Sequence, residues 1–485
     1  MDNIKTQKLP CAMRAGVAKS DITSSEPGVE ILDSLYAKAL VLDDGVTKVV
    51  IITMDVTAIG GRKISCNILD DVGEEFLPAL RARIEKELNI PGCNVLVNAS
   101  HTHPPGRMLC DDAEQLERTF DAVRQAAQNM TQVKIGCGSG YENRLTINRT
   151  LKLKNGLEWS IRHTNPSPPK EEVAASSPID PEIGLLKIDR LDGRTLAVVY
   201  NFACHPLFGD AKGSITANFP GVASKVIEEN LDDDTMALFI QGAGGNIIDS
   251  GFKNFNQPRD IKPMGTKLGL SALDAIKKIS TKGATLNVIS EIIELPRRTD
   301  IPERIAALLR EQTELLASLH GTTLNFEEFF ALYTKYDMSP DNHQEKDYSD
   351  MDKLNRRNIR KYLQSLNAME KLAQIQDKIS TLEKHQIIND RSGETTIKAE
   401  VMGIKIGDCV IISSPAELLV EIGLNLKKIS PYKTTLVAAF SNGYIHYGPP
   451  AEAYDKGGYE VTECLLAPEW ENIYKSTVKE IFEQL

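Results

Sequence analysis

Two strongly apolar runs of the chain each end at a histidine, and this pattern constrains the fold more than any other feature. Residues 95–97 lead through a short polar step to His101 and His103, and residues 196–203 lead directly to His205. An apolar run without polar alternation is typical of a strand buried on both faces of a sheet. Because the ends of such strands hold side chains rigidly beside a cleft, we expect these histidines to face one site.

Two further apolar runs end near side chains that can bind a metal ion. Residues 408–414 precede Glu417, and residues 434–440 precede a segment that contains Tyr447. If the four ends meet, they offer imidazole nitrogens, a carboxylate and a phenol to one cation. This set of ligands suits zinc with an open coordination position.

The order of strand-like and helix-like patterns predicts an α/β fold with layered mixed β-sheets flanked by helices. The pattern of residues 182–189 and 196–202 predicts a hairpin, which places antiparallel strands in the sheet. Residues 301–389 are rich in Glu, Lys, Leu and Gln at helical spacing. We therefore expect a helical insertion at 301–389 within one catalytic α/β domain formed by 12–300 and 390–485.

Composition excludes several classes of protein. The net charge of −11 over 485 residues argues against nucleic acid as the main partner and favours a small-molecule substrate. No run approaches the roughly 18 apolar residues of a membrane span, and the first residues lack the apolar core of a signal peptide. The eight cysteines are dispersed without a Cys-x-x-Cys pair. We expect a cytoplasmic enzyme without membrane contact, and the helical insertion offers a surface for a homo-oligomer.

Six short motifs in one order give the chain a family resemblance. Their positions are 14–23, 100–103, 147–149, 204–206, 415–417, and 444–447 followed by 459–460. Together they resemble the catalytic domain of the neutral/alkaline non-lysosomal ceramidases, over roughly residues 12–290 and 395–475.

The resemblance implies a zinc ion and its ligands. In that family the ion is held by the first histidine of the His-x-His pair, the histidine of His-Pro, a glutamate and a tyrosine. These fall on His101, His205, Glu417 and Tyr447. The second histidine of the pair, His103, would lie beside the zinc as a proton-transfer group.

The resemblance and the neighbouring motifs also indicate residues for substrate and catalysis. The family arginine that binds polar atoms of the substrate falls on Arg149, and we assign Asn246 and Tyr444 to substrate binding as well. A base must take the proton of an attacking water. His103 is the first candidate, and Asp249 is the second.

Departures from the family pattern change the expected substrate. Aligning Gly245 with the family glycine places Ile248 where the catalytic serine should be, and Ser250 comes two residues late. Asn218 replaces a family acid, and the chain shows no C-terminal immunoglobulin-like domain. We therefore expect a zinc-dependent hydrolase, amidohydrolase-like but not a true ceramidase. It would use metal-activated water on an amide-type or ester bond of a small polar substrate.

Two alternatives remain open from the sequence. One keeps the zinc but acts on a sugar or polyol derivative next to a carbonyl group. The other is a zinc-stabilised binding protein that has lost catalysis together with the serine.

Overall fold

A computed structural model describes residues 12–23, 27–61, 72–103, 112–162, 167–207, 214–251, 256, 260–319, 321, 323–336, 338 and 350–485. The chain forms two compact units, one comprising Met1–Arg297 with Glu394–Leu485 and the other comprising Arg298–Gly393. Mixed sheets and flanking helices confirm the predicted α/β class.

The larger unit is built on an eight-stranded mixed sheet. In spatial order its strands are β12 (Met236–Gln241), β11 (Thr195–Phe202), β10 (Glu182–Arg190), β5 (Thr131–Tyr141), β1 (Arg14–Asp21), β2 (Tyr36–Asp43), β3 (Lys48–Met54) and β4 (Val95–Ala99). The pairs β3–β4 and β11–β12 are parallel, and the other neighbours are antiparallel. Every residue of β4 and β11 is buried, which explains why both strands are predominantly apolar.

A second sheet packs against the first. Its strands, in spatial order, are β14 (Leu286–Pro296), β15 (Thr396–Ile406), β16 (Cys409–Ser413) and β18 (Thr434–Ala438). Leu186 and Val199 of the large sheet share a core with Ile404, Ile411 and Leu436 of the second sheet, and all five are fully buried. The sheets therefore form two stacked layers, as in a β-sandwich.

Short strands pair around these layers. They are β6 (Thr146–Asn148) with β13 (Ile247–Asp249), β17 (Glu417–Leu418) with β19 (Tyr447–Gly448), and β7 (Thr150–Leu153) with both β8 (Glu158–Ser160) and β9 (Val173–Ser176). The β17–β19 pair is parallel and sets Glu417 opposite Tyr447.

Helices cover the outer faces of the sheets. Those of the larger unit are α1 (Phe76–Leu88), α2 (Asp112–Gln128), α3 (Asn218–Glu229), α4 (Lys262–Ile276), α8 (Val420–Ile429), α9 (Tyr459–Glu463) and α10 (Trp470–Gln484). α2 packs on β1 and β2, α3 and α4 pack on each other and on the β5–β12 half, and α10 packs on β14 and β15. Burial of one face of each helix completes the layered core.

The smaller unit consists of α5 (Ile301–Ser318), α6 (Phe326–Tyr336) and α7 (Asp350–Ser392). α5 and α6 both pack against α7, and Phe329 of α6 stacks on Tyr362 of α7 with ring centroids 4.4 Å apart. None of the helices in the described ranges is both long and apolar enough to cross a bilayer.

Candidate metal centre

Three imidazoles meet where β4 and β11 end. His101 and His103 follow β4, and His205 follows β11. One ligand nitrogen from each of the three lies within 4.8 Å of the others. The two strand ends that the sequence marked with histidines thus converge in space.

Backbone carbonyls determine which nitrogens of His101 and His205 face the centre. The Nδ1 atom of His101 lies 2.7 Å from the carbonyl oxygen of Thr57, and that of His205 lies 2.5 Å from the carbonyl oxygen of Gly244. A carbonyl oxygen can only accept, so each Nδ1 carries the hydrogen. In the neutral imidazole Nε2 then presents the lone pair, which is the form in which histidine binds metals.

Glu417 completes the cluster. Its Oε2 atom lies 3.2 Å from Nε2 of His205 and 3.6 Å from Nε2 of His101. Its Oε1 atom accepts a hydrogen bond from the Tyr444 hydroxyl at 2.5 Å. Within the described residues Oε2 has no hydrogen-bond partner of normal geometry, although the side chain is buried.

The charge state of the cluster follows from its burial. Burial lowers the pKa of His101 to about 4, against the opposing influence of Glu417, so the imidazole is neutral at neutral pH. Burial alone would raise the pKa of Glu417, but the hydrogen bond from the Tyr444 hydroxyl favours the ionised form, and the pKa lies well below its usual value. A carboxylate and two nitrogen lone pairs thus face one another, and a cation between them removes their repulsion. The residues fit a metal ion.

His103 differs from the other two histidines. Its Nε2 atom lies 2.8 Å from Nε2 of His101, but its ring is only half-buried. Among the described residues, its Nδ1 atom has no hydrogen-bond partner. Because Nε2 of His101 carries no hydrogen, Nε2 of His103 donates to it and the Nδ1 atom of His103 keeps a lone pair, which suits a group that takes up a proton.

A buried arginine borders the cluster. Arg149 is 5% exposed and donates from Nε to Glu460 at 2.7 Å. Its Nη2 atom donates to the carbonyl oxygen of Gly245 at 2.8 Å and to the Tyr447 hydroxyl at 3.0 Å. Burial would lower the pKa of Arg149, but Tyr447 and Glu460 raise it above its usual value. The Nη1 group has no partner within the described residues and can donate to a bound ligand.

The remaining predicted residues are placed as follows. Tyr447 lies opposite Glu417 in the β17–β19 pair, with its hydroxyl oxygen accepting from Arg149. The Asn246 side chain accepts from the Val420 backbone N–H at 3.0 Å and donates to Glu421 at 3.0 Å. The Asn246 amide and the Tyr444 hydroxyl are thus both used inside the protein.

The second candidate base and the serine lie together at β13. Asp249 is the buried last residue of β13, opposite Thr146. Ser250 follows it, is exposed, and donates to the carbonyl oxygen of Arg144 at 3.2 Å. Ile248, which occupies the position expected for the family serine, is fully buried.

Strained backbone is concentrated at the centre. Four of the non-glycine residues with left-handed φ are His101 (φ 63°), Phe440 (φ 53°), Asn442 (φ 57°) and His446 (φ 62°). Phe440 stacks on His101 with ring centroids 4.0 Å apart. Such conformations cost free energy and persist mainly where function requires them.

The glycine-rich loop after β12 passes close to the centre. A Cβ atom on Gly245 would lie 2.7 Å from the carbonyl oxygen of Glu417, and one on Gly244 would lie 2.9 Å from the Cys204 nitrogen. The absence of a Cβ atom at both glycines therefore lets backbone segments approach each other closely beside the centre. The loop also places the Gly244 carbonyl against His205.

Sequence reasoning assigned no role to Glu460 or Ser160. Glu460 accepts from Arg149 through Oε1 and from the Ser160 hydroxyl through Oε2 at 2.6 Å. The only sequence signal was the position of Glu460 directly after a motif tyrosine. The carbonyl groups of Thr57 and Gly244 belong to the backbone, so the residue types in the sequence do not indicate their role.

Comparisons with known proteins agree with this fold. No protein-family model matches the sequence, and no curated protein matches it. The chain is similar to the crystal structure of neutral ceramidase from Pseudomonas aeruginosa, with a TM-score of 0.61 and 16% identity over 99% of this chain and 75% of that one. It is equally similar to a ceramidase complexed with C2, with a TM-score of 0.61 and 16% identity over 98% and 76% of the two chains. The resemblance to neutral ceramidases is confirmed as a shared fold.

Proposed function

We propose that this protein is a metal-dependent hydrolase that cleaves an amide-type or ester bond in a small polar substrate, and that its metal is zinc. One observation carries the proposal: two imidazole lone pairs and an unpartnered carboxylate oxygen face one another in a buried site. Two histidines and one carboxylate are a common ligand set of hydrolytic zinc. The likeness of the fold to proteins named ceramidases supports a hydrolase.

His101, His205 and Glu417 would hold the ion, with Tyr447, which pairs with Glu417 across β17 and β19, as the fourth proposed ligand. When bound, zinc supplies Lewis acidity that polarises a substrate carbonyl and makes water a nucleophile near neutral pH. Tyr444 orients the carboxylate of Glu417 through its 2.5 Å hydrogen bond. The carbonyls of Thr57 and Gly244 keep both imidazoles in the tautomer that binds metal.

His103 and Arg149 would act on the substrate side. His103 takes the proton of the attacking water, because it adjoins the cluster and its second ring nitrogen is not tied to the protein. Arg149 presents its Nη1 donor to the oxyanion that develops on the substrate carbonyl. A buried guanidinium stabilises such a charge more strongly than an exposed one.

A water nucleophile is favoured over a serine. The Ser250 hydroxyl donates to a backbone carbonyl at an exposed position, and buried Ile248 replaces the family serine. Neither side chain offers an activated nucleophile. Asp249 stays the second candidate base.

The test combines metal analysis with turnover. Purified protein is analysed by inductively coupled plasma mass spectrometry and assayed, before and after chelation, on a panel of N-acyl amides, esters and glycosides. We expect zinc and a chelator-sensitive activity on amides or esters. His205→Ala should lose metal and activity together, whereas Ser250→Ala should keep both.

Other outcomes separate the alternatives. Turnover of glycosides alone would support the hypothesis that the substrate is a sugar or polyol derivative. Bound metal without any turnover would support the hypothesis of a zinc-stabilised binding protein. Absence of any bound divalent metal would refute the proposal. A cytoplasmic location and a homo-oligomer through the helices of residues 301–389 stay predictions; light scattering on the full chain tests the second.

A further inference from the structure

A second cavity, of about 460 Å³, lies between one end of the large sheet and α3. It is lined in part by Tyr36, Thr53 and Asp55 and by Ser100, the residue directly before His101. Two neighbouring residues just after β4 therefore belong to different sites. His101 is part of the candidate metal centre, and Ser100 lines this cavity. The proposed hydrolysis does not use this cavity.

One pair of charges in the cavity is already satisfied. Lys38 donates to Glu228 at 2.9 Å and to the carbonyl oxygen of Ala237 at 2.8 Å. Lys225, also lining the cavity, forms an exposed ion pair with Glu229. Asp33 accepts hydrogen bonds from Thr216 and the Ala217 backbone, and the Lys19 ammonium lies 4.5 Å from the centroid of the Tyr36 ring.

The carboxylate of Asp55 is not satisfied in this way. Its Oδ2 atom accepts the Tyr36 backbone N–H at 3.0 Å, and within the described residues no cation lies within ion-pair distance of it. Burial raises the pKa of Asp55 to about 7, against the opposing influence of Lys38. One carboxylate oxygen thus faces the cavity without a donor.

Ser100 supplies an independent sign of a ligand. The side chain is 2% exposed, and its hydroxyl has no hydrogen-bond partner in the described part of the chain. Thr53, 6% exposed, also lines the cavity without a side-chain hydrogen bond there. Buried hydroxyls are nearly always hydrogen-bonded, so the Ser100 hydroxyl requires a bound water or ligand as its partner.

The chemistry of the free groups defines the ligand. A metal ion is not favoured, because the group of His, Cys, Asp or Glu ligand atoms that the described residues bring within 4.8 Å of one another lies at the candidate metal centre and not in this cavity. A free carboxylate oxygen flanked by hydroxyls instead matches a positively charged hydrogen-bond donor. We propose that this cavity binds a small organic molecule through a primary ammonium group, which donates to Asp55 and Ser100.

Binding of a matched pair of probes tests this proposal. The probes are trans-4-aminocyclohexanol and trans-1,4-cyclohexanediol, which share a ring and differ by an ammonium in place of a hydroxyl. Isothermal titration calorimetry on the full chain should show saturable binding of the amine and none of the diol. The same affinity in His205→Ala would show that the amine does not occupy the metal centre.

Substitutions locate the binding. Asp55→Asn can still accept the Tyr36 N–H, so the fold is retained, but the amine should bind at least tenfold more weakly. Ser100→Ala should also weaken it, whereas Glu229→Gln, at the exposed rim, should not change it. Equal binding of both probes, no binding of the amine, unchanged affinity in Asp55→Asn, or Asp55-dependent binding of Mg²⁺ in place of the amine would overturn the proposal.

Discussion

Removing the charge of Glu460 should destabilise the larger unit by about 3 kcal/mol. Glu460 and Arg149 are 2% and 5% exposed and are joined at 2.7 Å. Breaking a buried ion pair on one side costs about 3 to 5 kcal/mol, because the remaining charge is left without a counterion. In Glu460→Gln the amide oxygen can still accept from Nε of Arg149, which places the expected loss at the lower end of that range.

The chain offers a selective assay for this loss. Both tryptophans, Trp159 and Trp470, lie in the larger unit, so their fluorescence during urea denaturation reports on that unit. The measurement uses metal-free protein, because a bound metal would add its own stabilisation. Adding Arg149→Met to Glu460→Gln removes the uncompensated charge, and we expect it to recover at least about 2 kcal/mol.

A surface pair supplies the control. Asp192 and Arg194 form an ion pair in which the side chains are 49% and 57% exposed. Asp192→Asn should give no measurable change, because exposed pairs contribute little. A loss below about 1 kcal/mol in Glu460→Gln, or no recovery in the double variant, would refute the view that Glu460 balances a buried cation.

Three further outcomes follow from the structure. Tyr444→Phe removes the hydrogen bond to Glu417 and should weaken metal binding about 10- to 100-fold in a chelator competition, and unchanged affinity would contradict the orienting role. In the folded protein Asp55 keeps its proton up to about pH 7 but in the unfolded chain only to about 3.8, so stability should fall as pH rises through that window. This loss is at most about 4 kcal/mol, and pH-dependent urea denaturation of Asp55→Asn should lack it. Gly245→Ala would set a Cβ 2.7 Å from the Glu417 carbonyl and should cost about 1 to 3 kcal/mol, whereas Gly283→Ala, which meets open space, should be neutral in the same assay.

The layered α/β class was predictable because burial leaves a local record in the sequence. β4 and β11 are buried along their whole length, so their residues are predominantly apolar, and the histidines follow where the strands end. The hairpin of β10 and β11 was equally visible from its turn and its apolar strands. Each of these signals lies within one strand or two consecutive strands of the sequence.

The internal contacts of the site were not predictable from such signals. Substrate binding by Tyr444 and Asn246 stays a prediction, and the structure adds that the Tyr444 hydroxyl donates to Glu417 and that Asn246 contacts Val420 and Glu421. Both contacts depend on how separate loops approach each other after packing. A side-chain pattern cannot distinguish a residue that faces a ligand from one that faces its neighbour.

The sequence by itself determined the class of fold, the strand ends that carry the histidines and the family of structures that the chain resembles. Only the tertiary structure decided which imidazole nitrogens face the centre, through the carbonyls of Thr57 and Gly244, and that Glu460 balances Arg149 from 311 positions away. The physical reason is the distance along the chain between the residues that interact. Strand periodicity records the burial of each residue among its sequence neighbours, whereas hydrogen bonds between distant backbone and side-chain atoms exist only once the layers have packed.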